Sequence, residues 1–182
     1  AMSAAVLHAL RAGLSRGRIS VAVSGVSEPV SVAVAADPDG FWQGAVEMPS
    51  PLSVGPVRFS NGQRLPVAAF RGISHVILEE LLPRQEAETL VKRWCAELGA
   101  DALGLLFLDR SEWSLTPLVY VPAAETLFWE NACGSGSAAI GAWLARELDK
   151  PVTVSLQQPG GVLTVSASPE GPITLKGSVK LL

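Results

Sequence analysis

Phe128-Trp129-Glu130-Asn131-Ala132-Cys133-Gly134-Ser135-Gly136-Ser137-Ala138-Ala139 hands a strand or loop over to a helix, with a cysteine at the join. Residues 135–148 are apolar on nearly every side, which predicts a helix buried within its domain. Gly134 and Gly136 leave backbone N–H groups unobstructed, and Ser135 and Ser137 are good cap residues. The first turn of a helix presents unpaired donors and a partial positive charge, a geometry that binds a carboxylate or phosphate. The same setting lowers a thiol's pKa from about 8.5 toward neutrality. Cys133 is therefore a candidate base or nucleophile beside a held carboxylate. The alternative for the same residues is a capped helix with a buried, inert cysteine.

Downstream of that helix, Val152, Val154 and Leu156 alternate with polar residues, as do Leu163, Val165 and Ala167. Gln157-Gln158-Pro159-Gly160-Gly161 is the turn between them, since Gly160-Gly161 lacks the Lys-Ser/Thr and helix of a phosphate loop. Ser168-Pro169-Glu170-Gly171 turns into a last strand, 172–181. Upstream, strands are predicted at 65–70, 73–80, 102–108 and 115–121. Ala87, Leu90, Val91, Trp94, Cys95 and Leu98 form one helical stripe that Gly99 ends, which makes Cys95 a core residue. His75 stands near the start of strand 73–80. Its ordinary role there is structural, and its alternative role is in a cleft between lobes.

The first part of the chain follows the same grammar. Met2, Ala5, Val6, Ala9, Leu10 and Gly13 have helical spacing, and His8 is a surface residue. Ile19, Val21 and Val23 alternate, as do Val30, Val32 and Val34, with Gly25 to Pro29 as a hairpin connection. Asp37-Pro38-Asp39-Gly40 is a turn before a strand at 41–48. Pro49 to Gly62, with three prolines and two glycines, reads as a crossing between lobes. Strands outnumber helices, so the fold class is α+β. The expected division is a partial N-terminal lobe, 1–60, and a C-terminal lobe, 61–182, with the last strand a candidate to return to the first lobe. Each half runs from a helix into strands, which suggests a pseudo-repeat.

Composition limits the function classes. The chain has 182 residues, 48% of them hydrophobic and 17% charged, which argues against extensive disorder. Two cysteines cannot build a disulfide scaffold or a cysteine-based zinc site, and no metal is expected. A net charge of −3 argues against nucleic acid or anionic membrane as partner. No apolar run reaches membrane-spanning length, and the start lacks a signal peptide's pattern, so a cytoplasmic location is expected.

The segment Ala132-Cys133-Gly134-Ser135-Gly136-Ser137-Ala138 resembles the second cysteine motif of diaminopimelate epimerase and related racemases of the proline racemase superfamily. Three other segments resemble family features in the same order: Gly72-Ile73-Ser74-His75-Val76-Ile77, Gly160-Gly161-Val162-Leu163-Thr164-Val165 and Thr174-Leu175-Lys176-Gly177-Ser178-Val179. The resemblance implies a diaminopimelate epimerase-like fold, with mostly antiparallel strands wrapped around a buried central helix, here as one complete lobe and one partial lobe. It also implies inversion of an amino-acid α-carbon by two cysteines on opposite faces, without pyridoxal phosphate, metal or other cofactor. Cys133 and His75 would be catalytic, and Gly134, Ser135, Gly136 and Glu130 would bind substrate. A solvated loop carboxylate is the other role open to Glu130.

The family's first cysteine lies in a Cys-Gly-Asn-Gly-like motif, and no such motif precedes the helix at Met2. The family's Glu-Arg-Gly segment has no match in Val121-Pro122-Ala123-Ala124-Glu125, so an amino acid other than diaminopimelate is at least as strong a candidate. The expected function is thus a shortened racemase, inactive or weakly active as this chain. Two alternatives are a non-catalytic amino-acid or small-carboxylate binding protein and an isomerase of the phenazine-biosynthesis type. Strands near 18–48 and 172–181 would lack sheet neighbours, which predicts a homodimer or higher oligomer.

Overall fold

The computed structural model describes residues 1–23 and 28–180. Most of the hairpin connection read at Gly25 to Pro29 lies outside the described residues, as does Leu181 at the end of the last expected strand. The N-terminal part contains α1 (Met2–Arg11), β1 (Arg16–Val21), β2 (Val30–Ala36) and β3 (Trp42–Met48). There follow β4 (Ser53–Arg58), β5 (Arg64–Phe70), β6 (Ile73–Leu78), α2 (Arg84–Leu98), β7 (Leu103–Asp109), β8 (Ser114–Val121) and β9 (Thr126–Trp129). The remainder is α3 (Gly134–Leu148), β10 (Val152–Gln158), β11 (Gly161–Ala167) and β12 (Ile173–Val179). The class is α+β, with three α-helices among the described residues and one large mixed sheet.

The strands run in the order β1-β2-β3-β12-β11-β10-β8-β7-β6-β5-β4, with β9 added beside β8. Most neighbours are antiparallel. The β6–β7 pair is parallel because the α2 crossover returns the chain in the same direction, and β8 meets β10 in parallel at Ser114 and Gln157. The order overturns one expectation: the last strand does not lack neighbours, because β12 is hydrogen-bonded to β11 and β3. The Pro49–Gly62 crossing also contains a strand. Pro56 sits in β4 opposite Pro66, a placement open to proline because β4 lies at the sheet edge. The approach to the cysteine, open in sequence to strand or loop, is the short strand β9 up to Trp129.

Two apolar cores follow from the patterning. Strand β7, Leu103-Gly104-Leu105-Leu106-Phe107-Leu108-Asp109, is an unbroken apolar run up to its last residue because both its faces are covered. Leu106 and Leu108 enter the first core, and Leu103, Leu105 and Phe107 enter the second. Helix α2 closes the second core with Ala87, Leu90, Val91, Trp94 and Cys95, and Gly99 ends it in the left-handed conformation. Helix α3 lies in the first core, with β10–β12 packed on one side and β4–β6 on the other. This burial explains its apolar composition on nearly every face.

Candidate functional site

Cys133 is the N-cap residue of α3, with extended backbone angles. Its Sγ accepts the Gly136 N–H at 3.3 Å, and its carbonyl accepts both the N–H and the hydroxyl of Ser137, at 3.0 and 2.8 Å. The serines were the expected caps, but the thiol itself fills that role because it stands where a cap side chain must stand. A residue missed in the sequence fixes this turn. Gln158, read as part of a hairpin turn, ends β10 and is buried. Its Oε1 accepts the Cys133 N–H at 2.8 Å, and its Nε2 donates to Ser137 Oγ at 3.0 Å. No spacing rule singles it out, because its partners lie on a different element.

His75 is brought to the same place. It is completely buried on β6, its Nε2 is 3.0 Å from Ser135 Oγ, and Ser135 Oγ is 3.6 Å from Cys133 Sγ. Gly104, its cross-strand partner on β7, makes the room: a Cβ there would collide with Nδ1 of the imidazole. The edge of Phe70 faces the ring at 6.2 Å between centroids. Among the described residues Nδ1 has no hydrogen-bond partner. Burial lowers the histidine's pKa to about 3, so the ring is neutral at ordinary pH.

The helix-terminus expectation for the thiol is overturned. Cys133 is 4% exposed, and burial, with the Glu130 carboxylate beside it, pushes its pKa up to about 12. Ser135 and the Gly136 N–H pull in the opposite direction but do not prevail. Desolvation of a thiolate outweighs the donors of one helix turn here. Cys133 is therefore a neutral thiol in this state. The Gly136 N–H expected for a substrate carboxylate is occupied by the thiol, which leaves the first-turn N–H groups of Gly134 and Ser135. Half-buried Glu130 is held by its own N–H, which donates to the Pro117 carbonyl at 2.9 Å.

The start of α1 packs on a strand that also packs against α3. On β12, Leu175 and Gly177 face the helices from positions two residues apart, about 7 Å along the strand. A Cβ on Gly134 would lie 3.5 Å from Leu175, and a Cβ on Gly177 would lie 3.7 Å from Met2 Sδ. The first residues of α1 and of α3 thus both pack on β12. Two surface grooves, of about 430 and 220 Å³, are lined by other residues. Cys95 is apart from the site in the second core, where its thiol donates to the Ala100 carbonyl at 3.2 Å, and His8 is exposed. Among the described residues, no group of three or more His, Cys, Asp or Glu could hold a metal, and no helix is long and apolar enough to cross a membrane.

Comparisons with known proteins supply the remaining findings. The family model described as "Histidine racemase CntK N-terminal domain" matches residues 1–181. A histidine racemase of Fusobacterium nucleatum is 31% identical over 154 residues, 79% of this chain and 56% of that protein. One of Staphylococcus aureus is 38% identical over 68 residues, 36% of this chain and 24% of that protein. The chain spans about half, or less, of the length of the histidine racemases it matches. A predicted epimerase from Pseudomonas aeruginosa superposes with a TM-score of 0.62 at 17% identity, covering 98% of this chain and 71% of the other. A phenazine biosynthesis protein of the PhzF family from Bacillus anthracis gives 0.63 at 14%, covering 97% and 71%. At these identities the two structures share the fold alone.

Proposed function

Because the chain belongs to the histidine racemase CntK N-terminal domain family, we propose that it carries part of the site of a cofactor-independent amino-acid racemase, with Cys133 as one acid/base group. The observation that carries this is the packing of two helix N-termini on the same strand, β12, with the Cys133 thiol at one of them. The α3 terminus carries partial positive charge, and there an amino-acid carboxylate would accept the Gly134 and Ser135 N–H groups. Those donors serve the chemistry as well as binding. An α-C–H beside a carboxylate is a weak acid, and donors fixed at that carboxylate stabilise the charge it gains as the proton leaves. Cys133 exchanges a proton with the α-carbon on one face, as thiolate base or as thiol acid.

Inversion needs a second group on the opposite face. Cys95, the other cysteine, lies in the second core and does not serve. One thiol on one face exchanges the α-proton of a single enantiomer with solvent rather than interconverting two. Full racemisation by this chain is then absent or weak. The relatives named as histidine racemases favour histidine over diaminopimelate as the amino acid. Incubation of the protein with a panel of amino acids in deuterated water, read by proton NMR, tests this: α-deuteration of histidine ahead of diaminopimelate is expected. Deuteration of none, with bound carboxylate still detectable by calorimetry, favours a non-catalytic binding protein. The burial of Cys133, which disfavours its thiolate, is the observation in favour of that second function.

A further inference from the structure

Two other side chains are tied to the Cys133 thiol, Ser135 directly and His75 through it. Ser135 Oγ stands between His75 Nε2, at 3.0 Å, and Cys133 Sγ, at 3.6 Å. The histidine has one satisfied nitrogen and one orphan, Nδ1. A buried, unpaired lone pair costs less than a buried, unpaired N–H. The ring therefore carries its proton on Nε2 and donates to the serine oxygen. With that lone pair taken from one side, the serine's own proton is free to turn toward the sulfur.

We propose that His75 is a positioning residue, whose Nε2–H orients the Ser135 hydroxyl to donate its proton as a hydrogen bond to the Cys133 thiolate. Together with the Gly136 N–H at 3.3 Å, this gives the sulfur two fixed donors. They gain most when the sulfur is negative, after Cys133 has given its proton away. In the resting state Cys133 is protonated, and His75 acts on the sulfur only through Ser135. The assignment deepens the racemase proposal and rests on it for its purpose, but its geometry concerns the free protein. The titratable groups that bear on the sulfur are Glu130, directly, and His75, through Ser135. The latter stays neutral and adds no charge of its own.

The test uses the substrate-free protein in a Cys95→Ala background, with the rate of alkylation of Cys133 followed from neutral to mildly alkaline pH. Ser135→Ala removes one donor and is expected to slow alkylation at a given pH by roughly tenfold, the equivalent of about one pH unit in the thiol's titration. His75→Leu should slow it equally, and His75→Gln, which keeps an N–H, should restore most of the rate. The Ser135→Ala/His75→Leu double variant should be no slower than Ser135→Ala alone. Additive losses, or alkylation unchanged by Ser135→Ala, would overturn the proposal. Nitrogen NMR of the wild-type imidazole is a second measurement that needs no variant. An Nε2–H tautomer supports the chain of donors, and an Nδ1–H tautomer contradicts it. Neither experiment involves an amino acid, so failure of the racemase proposal would leave both results standing.

Discussion

The imidazole of His75 and the hydroxyl of Ser135, 60 residues apart in sequence, meet at 3.0 Å beneath the first turn of α3. The contact ties a strand of the sheet to the helix that carries Cys133. It also holds a neutral histidine in a fully buried position, and that has consequences for stability.

His75 is held neutral with a pKa near 3, whereas an unfolded chain's histidine titrates near 6.5. Between those values the unfolded state binds the extra proton, so stability is fully present above about pH 6.5 and is lost as pH falls. The loss should approach about 1.4 kcal/mol per pH unit in that window. Urea unfolding of wild type and His75→Gln across the window measures it. The histidine component should vanish from the variant, and identical slopes would contradict it.

Gly104 is the space into which His75 fits. Gly104→Ala should destabilise the fold by about 1–3 kcal/mol, since overpacking forces the ring or the strand to move. In a His75→Ala background the same change should cost much less. A thermal-unfolding double-mutant cycle gives the coupling directly, and an equal cost in both backgrounds would refute the fit.

Gln158 bonds the Cys133 backbone and the Ser137 hydroxyl at once. Gln158→Leu keeps approximate volume but leaves the buried Cys133 N–H without an acceptor, a loss of about 1–3 kcal/mol. Alkylation of Cys133 should become faster as the turn loosens, while that of Cys95 stays unchanged. Stability within a few tenths of a kcal/mol of wild type would remove Gln158 from the site's support.

Much of this was legible from local pattern. The α2 stripe with its Gly99 stop, the apolar α3 and the alternation along β10 and β11 each follow from spacing, because one face or all faces are buried. The expectation of an unpaired last strand failed because pairing between β3 and β12 is set by contacts more than a hundred residues apart, which no local window contains; β1 keeps one open edge. Pro56 concealed β4 for the same reason, since its tolerance depends on an edge position that only the assembled sheet defines. At the site, the glycine–serine turn marked Cys133 but not its protonation. Burial governs the thiol, and burial depends on β6, β10 and β12 closing around it. Gln158 carried no signal in one dimension.

The most direct measurement is α-deuterium incorporation into histidine by this protein in deuterated water, for each enantiomer separately, with wild type and Cys133→Ala compared. Slow exchange of one enantiomer is expected, rising about tenfold per pH unit through the mildly alkaline range, as thiolate forms from a thiol of raised pKa. Complete loss of that exchange is expected in Cys133→Ala. Exchange that survives Cys133→Ala, or no exchange in wild type while histidine remains bound, would contradict this role of Cys133.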